Sequence, residues 1–102
     1  MRTMMKVSIP HEAGNRGVQE GTLPKAFGGF MDEFKPEAAY FFAENGVRTA
    51  LFVFDLKKES DIPYVAERFF MGFNANVSAT PVMNADDLKA GIEKVEKSLK
   101  KR

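Results

Sequence analysis

The chain has 102 residues, and its 15 Lys and Arg nearly balance 14 Asp and Glu. That balance leaves no electrostatic footprint for nucleic acid or an acidic membrane surface, the short basic stretch "KSLKKR" aside. No cysteine occurs, which excludes a disulfide framework, a thiolate nucleophile and Cys-ligated zinc.

The length suits one domain spanning residues 1–102, and ten Phe with no Trp point to an interior of flat aromatic rings. At the amino terminus, Met5, Val7 and Ile9 alternate with Met4, Lys6 and Ser8, the period of a half-buried strand. Lys6 and Ser8 also interrupt the apolar run, so it does not read as a signal peptide. No stretch is long and apolar enough for a bilayer, and a cytoplasmic protein is expected. Pro10 lacks a ladder donor and ends the strand.

Residues 11–21 carry Gly14, Gly17 and Gly21, each costing a helix about 1 kcal/mol relative to alanine, so a short or bent helical turn is expected. Leu23, Ala26, Phe27, Phe30, Met31 and Phe34 share one face of the next helix, capped by Thr22 and stopped before Pro36. Two β-rich runs flank Asn45-Gly46, a strong hairpin signal. A two-residue turn sets Glu44 against Val47, Phe42 against Thr49 and Tyr40 against Leu51 on one sheet face. Ala39, Phe41, Ala43, Arg48, Ala50 and Phe52 take the other. Both faces are largely apolar, so both are expected to be covered.

"SDIPYVAERFFMGF" reads as a second amphipathic helix, capped by Ser60 or Asp61, with Ile62, Val65, Ala66, Phe69 and Phe73 as its buried stripe. "NVSATPVM" is a fourth strand that Pro81 places at an edge or strand end. Asn84 and Asp87 form a variant capping box before a last helix with a narrow stripe of Leu88, Ile92, Val95 and Leu99. The order is β-α-β-β-α-β followed by a C-terminal helix: an α+β, ferredoxin-like arrangement with an antiparallel sheet. A second copy of the chain is the simplest cover for its second face.

This pattern resembles the dimeric α+β barrel superfamily, in which two ferredoxin-like subunits press their sheets together. The stretches "IPHEAGN", "KPEAAYFFAENGVRTALFVFDL" and "PVMNADDL" are similar to a group of small bacterial proteins with no assigned activity. The resemblance implies a homodimer with ligand cavities between sheet and helices. The wider superfamily holds cofactor-free monooxygenases, isomerases, haem-degrading enzymes and proteins with no catalytic role.

His11, the only histidine, is the candidate acid or base, with Glu12 beside it. Asn15 and Arg16 offer polar contacts to a ligand. Arg48, near the hairpin turn, is suited to a carboxylate; an ion pair with a nearby acid is the structural alternative. Tyr40 is a candidate hydrogen-bond or proton donor from an apolar wall. Glu67 and Arg68 are expected on a solvated helix face. No residue spacing forms a metal site, and no cofactor is expected. "GNRG" lacks the preceding helix of a KH loop, and the glycines do not match a dinucleotide fingerprint. Two functions are therefore expected in competition. One is a homodimer binding a hydrophobic or aromatic metabolite, working as a cofactor-free enzyme through His11 and Tyr40. The other is a non-catalytic binding or interaction module whose sheet–helix space is filled by Phe side chains.

Overall fold

Alternation of apolar and polar side chains builds the first strand, β1 (Arg2–Ile9), in the computed structural model, which describes residues 1–101. Thr3, Met5, Val7 and Ile9 are buried, and the residues between them are half-buried. Helices α1 (His11–Glu20) and α2 (Thr22–Phe34) follow, then β2 (Ala38–Glu44), β3 (Val47–Asp55), α3 (Asp61–Phe73), β4 (Asn76–Pro81) and α4 (Ala85–Lys100). The four strands form one antiparallel sheet in the order β2-β3-β1-β4.

The hairpin has the expected register, with Glu44 opposite Val47, Phe42 opposite Thr49 and Tyr40 opposite Leu51. Asn45 (φ 53°) and Gly46 (φ 78°) both lie in the left-handed region, as a two-residue primed turn demands. At the other end of the chain, Asn84 and Asp87 form a reciprocal capping box: the Asp87 amide donates to the Asn84 side chain at 2.8 Å, and the Asn84 amide donates to Asp87 at 3.1 Å.

Three details depart from the sequence reading. The glycine-bearing stretch is a ten-residue helix, not a bent turn, so the element order is β-α-α-β-β-α-β-α. Packing overrides propensity there: a Cβ at Gly17 would stand 2.9 Å from Leu23 Cβ and 3.0 Å from Phe73, so glycine is what lets α1 approach so closely. Thr22 does not cap α2; Gly21, left-handed at φ 76°, joins the two helices directly. Neither Ser60 nor Asp61 makes a side-chain cap bond at the start of α3, and Ile62 is 44% exposed although Val65, Ala66, Phe69 and Phe73 are buried.

The core lies between one sheet face and the helices. Phe30 is fully buried and packs against Phe34, Phe52, Phe54 and Phe69, with centroid separations of 5.1, 4.6, 5.2 and 6.4 Å. Such stacked, tilted and edge-on pairs each add about 0.5–1.5 kcal/mol beyond the burial of their area. The opposite sheet face, bearing Tyr40 and Phe42, is left open. Helix α4 does not cover it: every residue of α4 is exposed, and the molecule measures 60 × 28 × 19 Å. Its radius of gyration is 17.1 Å, where a compact chain of this length has about 13 Å.

Candidate functional site

Strand β3 presents Arg48 on the helix-covered face, at the end where Ile9 pairs with it across β1. Helix α1 crosses that end. Its Gly14 is buried, and a Cβ there would stand 2.7 Å from Arg48 Nη1 and 3.2 Å from Ile9 Cγ2. The missing side chain leaves the space that the guanidinium uses. Nη1 donates to Asn15 Oδ1 at 3.0 Å. Among the described residues, no carboxylate stands within 4 Å of Arg48, so its charge is met by a neutral amide and not by the expected acid.

Arg48 also borders a cavity of about 360 Å³ that is otherwise apolar, lined by Ile9, Leu23, Phe27, Phe41, Phe42, Ala43 and Thr49. This lies within the range of small-molecule sites, about 300–1,000 Å³. Phe27 forms its inner wall, with its ring 5.4 Å from Phe41 and 5.9 Å from Phe52. The arrangement is a half-buried cation at the rim of an aromatic cleft. It suits an anionic head, held by a guanidinium fork, joined to an apolar body.

The remaining sequence-derived candidates lie around this site without joining it. His11 opens α1 and is exposed. Glu12 and Arg16 form an exposed pair one helical turn apart at 3.6 Å; such pairs contribute a few tenths of a kcal/mol. Of the α1 candidates, only Asn15 bonds Arg48. Tyr40 is 64% exposed and faces the open side of the sheet, beside Leu51, whereas Arg48 faces the covered side. The sheet thus separates Tyr40 from the α1 group. Among the described residues, no three His, Asp or Glu side chains gather as a metal ion would require.

A second cavity, of about 330 Å³, lies between α3 and β4 and is lined mainly by Met5, Phe54, Val65, Ala66, Phe70 and Val77. Glu67 is its one charged group, and no cation borders it.

One cluster was not legible in advance. The Tyr64 hydroxyl donates to Glu33 Oε2 at 2.6 Å and Arg68 donates to Glu33 Oε1 at 3.2 Å, while the Arg68 guanidinium stands 4.9 Å from the Tyr64 ring centre. The Tyr64 hydrogen bond, followed by Arg68, holds the Glu33 carboxyl below its ordinary pKa. The same bond raises the Tyr64 phenol. Tyr64 and Arg68 are four residues apart on α3, a visible spacing, but Glu33 reaches them only through the packing of α2 on α3.

No helix among the described residues is long and apolar enough to cross a membrane. Comparison with protein-family models, with curated proteins and with solved structures finds no match to this chain.

Proposed function

We propose that this chain is a small-molecule-binding protein that takes a hydrophobic or aromatic carboxylate in the cleft between α2 and the β2–β3 hairpin. It works as a homodimer of the α+β barrel type, its ferredoxin-like subunits turning their open sheet faces towards each other. The observation that carries the reading is Arg48: a half-buried guanidinium at the rim of an aromatic cleft, with an amide and no acid as its partner. A structural arginine at a sheet end is expected to hold a carboxylate of its own chain; this one leaves donors free for another.

Ligand carboxylate would accept from the guanidinium while Phe27, Phe41 and Leu23 enclose the apolar body. Burying a ring in such a wall contributes about 25 cal/mol per Å² of apolar surface removed from water. A cofactor-free enzyme of the kind expected from the resemblance needs His11 and Tyr40 on one substrate. They stand on opposite sides of the sheet, and the reading is therefore of binding.

The test is a titration of the labelled protein with phenylacetate, followed by NMR and repeated with phenylacetamide. Saturable shifts at Ile9, Phe27, Phe41 and Arg48 with the acid, weaker by about tenfold or more with the amide, are expected from loss of the charged hydrogen bonds. Equal binding of the two, or shifts confined to other residues, contradicts the reading.

A further inference from the structure

A further hollow adjoins the aromatic cleft. It measures about 320 Å³ and is lined by Val18, Leu23, Pro24, Phe27, Met31 and Phe41. Leu23, Phe27 and Phe41 also line the cleft that Arg48 borders. The two spaces are therefore the two sides of one partition, in which the rings of Phe27 and Phe41 stand 5.4 Å apart. Together they follow the seam between α2 and β2. The seam starts at Arg48, whose strand neighbours are Ile9 and Ala43, and passes Leu23 and Phe27 to reach Met31. From Leu23 to Met31 the helix rises about 12 Å, the length of an extended decanoate.

This seam is apolar and open. Phe41 shares the helix-covered face with its buried register partner Ala50, yet it is 53% exposed. Val18, near the end of α1, is also about half exposed. Strand β2 is an edge strand, so no further strand supports a roof over the trough. Arg48 is the one charged side chain that lines either space. A trough with a cation at one end and apolar walls beyond is complementary to an amphiphile with an anionic head and an aliphatic body. A single rigid ring fills only the space beside Arg48. A flexible chain bends past the exposed side of the Phe27–Phe41 pair and covers both.

We infer that the Arg48 cleft and the hollow beyond Phe27 and Phe41 are one site for a straight-chain aliphatic carboxylate such as decanoate. The head accepts from the Arg48 guanidinium, and the tail lies along the seam as far as Val18 and Met31. The inference rests on the binding reading proposed above and narrows its ligand class. Phe27 is the fixed wall, braced at 5.9 Å against Phe52 and 5.7 Å against Phe69. The tail replaces water over Phe41, Leu23 and Met31, so affinity grows with chain length, whereas the contact with Arg48 stays the same.

The test titrates the protein, labelled with ¹³C at the methionine methyl groups, with hexanoate, octanoate and decanoate, and with phenylacetate alongside. Affinity is expected to rise about two- to fourfold per methylene, the upper figure being that of a fully buried one. The Met31 methyl is expected to shift with decanoate and not with hexanoate, and Val18→Asp is expected to remove most of the gain from hexanoate to decanoate. Decanoate binding no tighter than hexanoate, with phenylacetate still bound at Arg48, overturns the extended site and leaves the carboxylate reading standing. A chain-length gain untouched by Val18→Asp and without a Met31 shift also overturns the extended site. No saturable binding of any of the four acids overturns both.

Discussion

Arg48 donates from Nη1 to Asn15 Oδ1 at 3.0 Å, joining the hairpin strand to the first helix across a gap that Gly14 leaves open. The bond orients the guanidinium at the rim of the aromatic cleft without neutralising it. The proposed binding and the local structure therefore depend on the same two side chains to different degrees, and substitutions separate them.

Arg48→Gln retains a hydrogen-bond donor for Asn15 and removes the charge. Its expected effect is a loss of phenylacetate affinity of about 10- to 100-fold, the equivalent of a charge-assisted hydrogen bond, with phenylacetamide unaffected. Thermal unfolding of the unliganded protein is expected to stay close to wild type, because the bond is exposed. Calorimetric titration of both ligands against both proteins checks this.

Two glycine substitutions are expected to move stability in opposite directions. A Cβ at Gly17 meets Leu23 and Phe73 at 2.9 and 3.0 Å. Gly17→Ala therefore overpacks the α1–α2 contact, and strain of about 1–3 kcal/mol outweighs the gain in helix propensity. Gly29 lies in α2, exposed, with nothing within 4 Å of an added Cβ. Gly29→Ala is expected to stabilise by about 0.8–1 kcal/mol. Urea unfolding of the two variants measures both.

The Glu33–Tyr64 bond has a pH signature. Tyr64 and Arg68 lower the Glu33 pKa in the folded chain relative to the unfolded one. The stability this group contributes is present above its unfolded pKa and is lost as pH falls through the folded pKa. Tyr64→Phe removes the largest cause and is expected to raise the Glu33 pKa towards its ordinary value. Titration of the Glu33 side-chain carboxyl by NMR in both proteins reads this directly; an unchanged midpoint in the variant would show that Tyr64 is not the cause.

Phe30→Ala tests the core that supports the cleft. Phe30 is fully buried among Phe34, Phe52, Phe54 and Phe69. The loss expected is about 3–5 kcal/mol, from lost transfer energy and the cavity left behind. A loss under about 1 kcal/mol by chemical denaturation would mean that the ring cluster is not the core.

What was legible in the sequence is what local chemistry decides. Asn45-Gly46 specified its turn and, through it, the pairing of Tyr40 with Leu51, because both turn residues tolerate positive φ. Asn84 and Asp87 specified their cap for a similar reason. Helix α1 was misread because Gly14 and Gly17 count against a helix in isolation, whereas in the fold they allow contacts with Arg48 and Leu23. The site was only half legible. Arg48 and Asn15 were each recognisable as ligand-binding types, but they are 33 residues apart, and their pairing depends on how α1 crosses the sheet. The stripe of α4 was read correctly as apolar, yet nothing in its spacing reveals that every residue of the helix is exposed in the protomer.

The most direct measurement is a crystal structure of the protein with phenylacetate. The account predicts the ligand ring against Phe27 and Phe41, with its carboxylate accepting from the Arg48 guanidinium. An empty cleft with Arg48 still bonded only to Asn15, or a ligand seated instead between α3 and β4, would contradict it.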